Sequence, residues 1–304
     1  MSVPYLFLPG PMEGVMSPEF IRGARELDLA DMWVTPFFRL SSALPREKYF
    51  RAFLAPYLPG KVILQLMGRD PELLAEAAAI AESLGAAGVD LNLGCPSAQV
   101  LRHGAGAGLL KTPSLACKIL RRIRGSVRRI PVSAKLRCGW ESQEELPGLL
   151  NMLLEAEVSG LTLHFRTAQE LYRELPGERE RRFAVASECL RGRCPFLLNG
   201  DFLDHGEMIS SAEKFGAAGV MAARGFLRDP GLLRRAEGKS MEPPEILRRK
   251  LFCSVAGQYP DGMPAGRAVE LSIFLWGKDN PVFRRLAGRR EYVFRGELDR
   301  VLFP

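Results

Sequence analysis

The sequence predicts an α/β fold, a (β/α)8 TIM barrel followed by a small C-terminal all-helical domain. Three observations predict it. Eight short runs rich in Val, Ile and Leu alternate with longer amphipathic stretches. A short glycine-alanine motif recurs where such a stretch meets a run. Polar residues gather at the ends of the apolar runs. Strand–helix alternation indicates parallel strands with helical crossovers, and eight units in about 235 residues suit a closed barrel better than an open doubly wound sheet.

The runs lie at 5–8, 32–35, 62–66, 89–91, 132–136, 161–164, 196–199 and 220–223. Helical patterns fall between them, for example at 71–84, 113–124, 144–158 and 207–215. Two of these begin with proline, whose missing N–H costs nothing in a first helical turn. The repeat reads GAAGVD at 85–90 and GAAGVM at 216–221, with VSGLTLH at 158–164 as a looser third copy. Its glycine suits the left-handed stop of a helix, and its Val opens the next strand. From about residue 241 the rhythm stops, so the expected domains are a barrel over 1–238 and a helical domain over 239–304. In that tail Arg284, Arg285, Arg289, Arg290 and Arg295 lie among Trp276, Phe283 and Tyr292. The aromatics equally suit inward packing, while the arginines favour an anionic partner.

Composition narrows the classes. With 304 residues, 47% of them hydrophobic, the chain can bury one large core and a smaller one. No apolar run approaches the roughly 18 residues that cross a bilayer. The opening MSVPYLFLPGP has no basic leader, so no secretory signal and a cytoplasmic location are expected. The six cysteines, Cys95, Cys117, Cys138, Cys189, Cys194 and Cys253, form no CxxC pair, and only three histidines accompany them. Neither a metal site nor a disulfide framework is expected. Lys and Arg number 42 against 35 Asp and Glu, a net charge of +7. That charge fits a polyanion partner and equally a mildly basic enzyme.

In a barrel, chemistry sits on the loops after the strands. The first run leads into Pro11, Met12, Glu13 and Gly14. The third ends at Gln65, and the fourth runs into Asn92 and Cys95. The fifth carries Lys135 and Arg137, the sixth His164 and Arg166. The seventh closes with Asn199, Gly200 and Asp201, the eighth with Ala223, Arg224 and Gly225. Each alone is what a cap or loop residue looks like; together they point to one ring-shaped site. The GAGAG run at 104–108 is a poor dinucleotide loop, because it does not directly follow a strand. Gly200 and Gly225 with Arg224, on the last two loops, are better placed for a phosphate. Lys135 beside a flavin would stabilise the reduced ring, and Gln65 would hydrogen-bond it. Cys95 suits either of two roles. An ordinary thiol, with a pKa near about 8.5, is mostly protonated and can donate a proton; a cationic neighbour would make it a nucleophile.

PMEGV, LQLMG, DLNLGCPS, GAGAGLLK, SAKLRCGW, LTLHFRT, NGDF and VMAARGF occur in this order. Over about residues 4 to 235 they resemble the tRNA-dihydrouridine synthases, most of all the bacterial C subfamily, whose target is uridine 16 in the D-loop. The arginine-rich tail resembles their RNA-recognition domain more loosely. The resemblance implies an enzyme that binds tRNA and uses FMN reduced by NADPH; a monomer with neither membrane nor metal partner is expected. Pro11, Met12, Glu13 and Gln65 would contact the flavin, Lys135 and His164 its ring and ribityl side. Asn199, Gly200, Asp201, Ala223 and Arg224 would hold the ribityl and phosphate end. Asn92, Arg137 and Arg166 would bind the uracil of a uridine taken out of its stack. Hydride would reach C6, and Cys95 would protonate C5. The glycine-rich run would be a mobile loop carrying Cys95. Two departures stand out: Phe165 replaces the glycine of HGRT and is expected near the substrate mouth, and Ala223 replaces the first glycine of GRG, adding a methyl near the phosphate. Two other classes remain in view. One is a pyrimidine flavoenzyme of the dihydroorotate or dihydropyrimidine type, which would need no basic tail. The other is a non-catalytic RNA-binding paralogue.

Overall fold

The computed structural model describes residues 5–41, 43, 46–58, 60–288, 292–293 and 296. The elements run β1 (Leu6–Pro9), α1 (Pro18–Glu26), β2 (Met32–Val34), β3 (Phe38–Arg39), α2 (Glu47–Leu54), β4 (Lys61–Met67), α3 (Pro71–Ser83) and β5 (Gly88–Leu93). Then come α4 (Ala98–Leu101), α5 (Pro113–Ser126), β6 (Val132–Arg137), α6 (Leu146–Leu154), β7 (Gly160–His164), α7 (Glu178–Leu190), β8 (Phe196–Asn199), α8 (His205–Phe215) and β9 (Gly219–Ala222). Five helices follow: α9 (Arg224–Arg228), α10 (Leu232–Ala236), α11 (Pro244–Gly257), α12 (Ala265–Trp276) and α13 (Pro281–Leu286). The fold is a (β/α)8 TIM barrel followed by a helical region. Each of the eight expected runs overlaps one barrel strand, and the two-residue β3 is additional. The helix expected from residue 144 starts later, because Ser142 and Glu145 build a capping box around a short 3-10 turn before α6.

By contacts the chain forms two compact units. The first comprises Met1–Leu6, Phe37–Gly200 and Met208–Met221. Within it the strand order is β9-β8-β7-β6-β5-β4, with β3 on β4, all parallel. One face of the strands is apolar: Val89, Leu91, Leu93, Val132, Ala134 and Leu136 are buried. The opposite face is polar, in registered rows. Gln65, Asp90 and Ser133 form one row, Asn92, Lys135 and Thr162 the next, and Arg137, His164 and Asn199 the last. Since alternate residues share a face, one apolar run supplies both the packing and the site. On the outside, α3 begins on an Asp70 cap that accepts from the Glu72 and Leu73 amides, and it packs on α5 through small residues such as Ala77, Ala78 and Ala81.

The repeat has a common hydrogen-bond scheme. Gly85 (φ +91°) and Gly216 (φ +60°) end their helices in the left-handed region. The next residues, Ala86 and Ala217, donate back to Ala81 and Ala212. Ala87 and Ala218 then donate to Val62 and Phe196, at the start of the preceding strand. The looser copy closes in the same way, Ser159 donating to Val132, but Glu157 takes the left-handed position at φ +52°, at a cost of roughly 1–2 kcal/mol.

The second unit comprises Phe7–Pro36, Asp201–Glu207 and Ala222–Pro304. Here α1 packs on α11. Gly23 permits it, since a Cβ there would come within 2.8 Å of the Val255 nitrogen. The Arg234 side chain is fully buried, and its guanidinium is satisfied by Asp28, Asp31 and Glu237. In the tail, Trp276 is half-buried against Phe252 and donates to Glu245. Arg284, Arg285 and Tyr292 are exposed and Phe283 is half-buried, whereas Arg289, Arg290 and Arg295 lie outside the described residues. Among the described residues no helix is long and apolar enough to cross a membrane, and no cluster of His, Cys, Asp or Glu is arranged to hold a metal ion.

The two full repeat copies differ in the room left at their second glycine. A Cβ at Gly219 would fall 1.9 Å from the Leu6 carbonyl oxygen, whereas at Gly88 it would meet Pro131 at 3.3 Å. Gly219→Ala should therefore cost about 3 kcal/mol, at the upper end of overpacking effects, and Gly88→Ala under about 1 kcal/mol. Chemical denaturation of both variants checks the order.

Candidate active site

The centre of the first unit is a buried chain of amides and carboxylate. Gln65 Nε2 donates to Asp90 at 2.8 Å, Ser133 Oγ donates to its other oxygen at 2.7 Å, and Asn92 Nδ2 donates to Gln65 Oε1 at 2.8 Å. Asn92 Oδ1 in turn accepts from the amides of Gly94 at 3.0 Å and Cys95 at 2.9 Å. This side-chain turn fixes the backbone that carries the thiol. Burial raises the Asp90 carboxyl above its ordinary range, opposed by Ser133, Gln65 and the nearby Lys135 cation.

Lys135 is half-buried in the row between Asn92 and Thr162. Among the described residues its ammonium donates to no protein group. Burial, and then the positive charge of Arg137, lower its pKa from 10.5 to about 8; Asp90 and Cys95 pull the other way. Lys135 and Cys95 thus lie within electrostatic reach of each other.

Cys95 itself is half-buried against the cluster of Met67, Val100 and Ala105. The glycine-rich run behind it, expected to be a mobile carrier, is folded. Ala107 donates to the Cys95 carbonyl at 3.1 Å, residues 106–111 form a 3-10 turn, and Ala105, Ala107, Leu109 and Leu110 are buried. Gly106 (φ +57°) is required because a Cβ there would sit 2.9 Å from the Cys95 carbonyl oxygen. The glycines serve close packing behind the thiol.

At the strand ends, Arg137 clamps the rim. Its Nε donates to the Gly94 carbonyl at 2.9 Å, and Nη1 donates to those of Thr167 at 2.8 Å and Leu171 at 2.9 Å. The exposed Tyr172 ring lies 5.4 Å from the same guanidinium. His164 Nδ1 accepts from the Arg166 amide at 3.2 Å, which assigns the neutral ring's proton to Nε2. Arg166 Nε donates to the Arg173 carbonyl at 2.6 Å. Asn199 Nδ2 donates to the Met221 carbonyl at 2.8 Å. Phe165 is not at a substrate mouth. It is buried, stacked on His164 and edge-on to Phe183, because its aromatic ring fills the core space that a glycine would leave. Gly200 (φ +120°) packs over it, with only 2.6 Å between a hypothetical Cβ and the ring.

In the second unit the Pro11–Gly14 segment is a turn, with the Val15 and Met16 amides donating to the Met12 carbonyl. Pro11 and Met12 are half-buried and Glu13 is exposed. Asp201 (φ +55°) forms an ion pair with Arg224. Ala223 is half-buried, and its methyl occupies the space over Gly10 that a Cβ on Gly10 would need, at 2.9 Å. The extra methyl is thus accommodated by a glycine.

The first unit therefore brings Gln65, Asn92, Cys95 and Arg137 into one hydrogen-bonded network, with Lys135 coupled to it by charge and His164 in the row of Arg137. Asp90 and Ser133 complete it and were not expected from the sequence. An acid inside the apolar run VDLNL, two residues before Asn92 and hence on the same strand face, is the signal that marks Asp90. Arg182 was also missed. It is buried, pairs with Glu170 through two bonds of 2.7 and 2.9 Å, and donates to the Phe165 carbonyl. It lies on a helix with two other arginines, Arg179 and Arg181, and nothing local distinguishes it.

The Lys135 shift has a definite sign. The unfolded chain keeps this proton up to about pH 10.5, the folded chain only to about pH 8, so the penalty is full below pH 8 and fades between the two values. With any flavin removed, Lys135→Met should raise the melting temperature at pH 7, by about 2–4 °C for each kcal/mol relieved. The gain should shrink from pH 8 to pH 10. Melting curves across that range check both statements.

A sequence profile of the dihydrouridine synthase (Dus) family matches residues 8–258. A tRNA-dihydrouridine(16) synthase of Vibrio parahaemolyticus is 36% identical over 172 residues, which are 54% of this chain and 53% of that protein. The Yersinia pestis protein of that name is 35% identical over 205 residues, 64% of each chain. The chain thus spans about half to two thirds of the length of these relatives. Among solved structures, TcOYE with pHBA superposes with a TM-score of 0.55 at 12% identity, covering 84% of this chain and 94% of that one. Morphinone reductase gives 0.52 at 13% identity, covering 79% and 87%. At such identities these two share the fold. The family profile covers well over half of the sequence, and the chain belongs to the dihydrouridine synthase family.

Proposed function

We propose that this chain is a tRNA-dihydrouridine synthase, a flavin oxidoreductase that reduces uridine 16 in the D-loop of tRNA to 5,6-dihydrouridine. It uses FMN reduced by NADPH and acts as a cytoplasmic monomer. The observation that carries this reading is the Lys135 ammonium, half-buried in the row between Asn92 and Thr162 and donating to no described protein group. A cation kept there at a cost in stability is suited to an anionic or strongly accepting ring. Gly200, pressed on Phe165 with no room for a side chain, supplies bare backbone of the kind a ligand approaches closely. These features fit a flavin.

When bound, FMN supplies the hydride for C6 of the uracil. Gln65, Lys135 and His164 would hold its ring side. Asn199, Gly200, Asp201, Ala223 and Arg224 would hold its ribityl and phosphate end, with Pro11, Met12 and Glu13 as further contacts. Cys95 donates its thiol proton to C5. The C5–C6 double bond is consumed, two C–H bonds form, and the negative charge left on sulfur faces the Lys135 cation before solvent returns the proton. The Asn92 turn holds the thiol for this transfer. Asn92, Arg137 and Arg166 orient the uracil, Arg137 by fixing the rim through which it enters. The helices of 239–304 are the RNA-recognition domain.

Two experiments test the reading. In a strain lacking the gene, dihydrouridine should disappear from one tRNA position, position 16, when the modification is mapped by sequencing. Its retention everywhere would exclude the proposal, and turnover on free uracil or dihydroorotate with none on tRNA would assign the chain to small-molecule chemistry. Cys95→Ala should keep its yellow flavin and lose about 100- to 10,000-fold in product formation, the range of a general acid. Turnover at the wild-type rate would remove Cys95 from that role.

A further inference from the structure

We infer that the loop carrying Cys95 is also the grip on the RNA backbone, with Arg69, Arg102 and Lys111 contacting the phosphates that flank the target nucleotide. This rests on the tRNA reading above. The basis is the place of three exposed cations in the first unit. Arg69, Arg102 and Lys111 have no carboxylate partner among the described residues, as is also true of the exposed Lys118 and Arg124 on α5, whereas Arg121 on the same helix pairs with Glu155 at 3.0 Å. What sets the three apart is that they lie on or against the loop that carries Cys95.

Their placement is built. The Arg69 side chain lies against Gly104 (φ +60°), where a Cβ would meet its Cδ, Nη1 and Nε at 3.0 to 3.2 Å. The guanidinium of the preceding loop is thereby laid on the Cys95 loop. No ion pair joins it to the adjacent Asp70, whose Oδ1 accepts the amides that open α3 at 2.9 and 3.0 Å. Arg102 ends α4, the single turn between Cys95 and Gly104. Lys111 closes the same loop, with its ammonium 4.0 Å from the centre of the Trp140 ring, so an aromatic face fixes its position without neutralising it. The loop is tied to the thiol by the Ala107–Cys95 bond, so the three cations keep a set position relative to Cys95. A uridine reached by Cys95 must leave its stack, which requires that the phosphates on both sides be held while the base is out.

The test is the salt dependence of binding of an unmodified tRNA transcript to the flavin-loaded chain, from about 50 to 200 mM salt. Arg69→Gln and Arg102→Gln should each weaken binding several-fold at the low end. Each should also flatten the plot of log affinity against log salt by about 0.7 to 0.9, one phosphate contact apiece, and the double variant should lose about twice as much. Arg121→Gln, whose native partner is Glu155, is the control and should leave the slope unchanged. Flavin content and melting temperature establish that the variants are folded. Wild-type slopes in Arg69→Gln and Arg102→Gln would overturn the inference, as would an equal loss in Arg121→Gln, which marks diffuse attraction. Failure of the unsubstituted chain to bind tRNA would remove the tRNA reading itself, and the inference with it.

Discussion

A buried carboxylate sets the terms for the polar face of this barrel. Asp90 is buried on β5, where an unpaired charge would cost several kcal/mol. Both of its oxygens are met, by Gln65 and Ser133. Satisfying Asp90 with the Gln65 amide leaves the Gln65 oxygen facing Asn92, and satisfying that oxygen leaves the Asn92 oxygen facing the Gly94 and Cys95 amides. One charge in the core is thereby transmitted, bond by bond, to the turn that presents the thiol. A half-satisfied version of such a network would be worse than an apolar one, so each member constrains the next.

The same rule governs the rim. The loop after β7 carries many backbone carbonyls, and three arginines answer them. Arg137 takes Thr167 and Leu171, Arg166 takes Arg173, and Arg182 takes Phe165 while its charge is matched by Glu170. Arginine suits this work because its donors are fixed in a plane and it stays charged when buried. Glu170 accepts from the Thr167 amide as well as from Arg182, so helix α7 and the loop are locked together beneath His164. Lys135, by contrast, is left without a protein acceptor in a place that lowers its pKa to about 8. A half-buried ammonium with no protein acceptor, on the polar strand face beside the Asp90 network, is poised for a bound group.

Much of this was legible in the sequence because the signals are local. A strand rises by a fixed two-residue alternation, so polar residues at run ends predict their own face. The repeat glycines announce left-handed helix stops, and both take that conformation. Gln65, Asn92, Cys95 and Lys135 follow from that logic, and the structure links them. Phe165 misled because its neighbours in sequence are site residues. Which way it points depends on Phe183, on a helix near residue 180, and on Gly200. The glycine-rich run misled for the same reason. Its composition suggests freedom, but Val100 and the Cys95 carbonyl press on Gly106 so closely that only glycine fits.

By itself the sequence determined the alternation of strands and helices, the side of each strand that is polar, the motif order that marks the dihydrouridine synthase family, and a thiol on the loop after β5. These depend on residue type and spacing along the chain. Only the tertiary structure decided that Asp90 is the anchor of the network, that Arg137 spends its donors on three carbonyls, that Phe165 is core, and that Lys135 keeps its ammonium uncommitted. The reason is physical. Whether a polar group is satisfied depends on what the fold brings to it from strands and loops tens of residues away. That pairing is a property of three-dimensional neighbours, which no local pattern encodes.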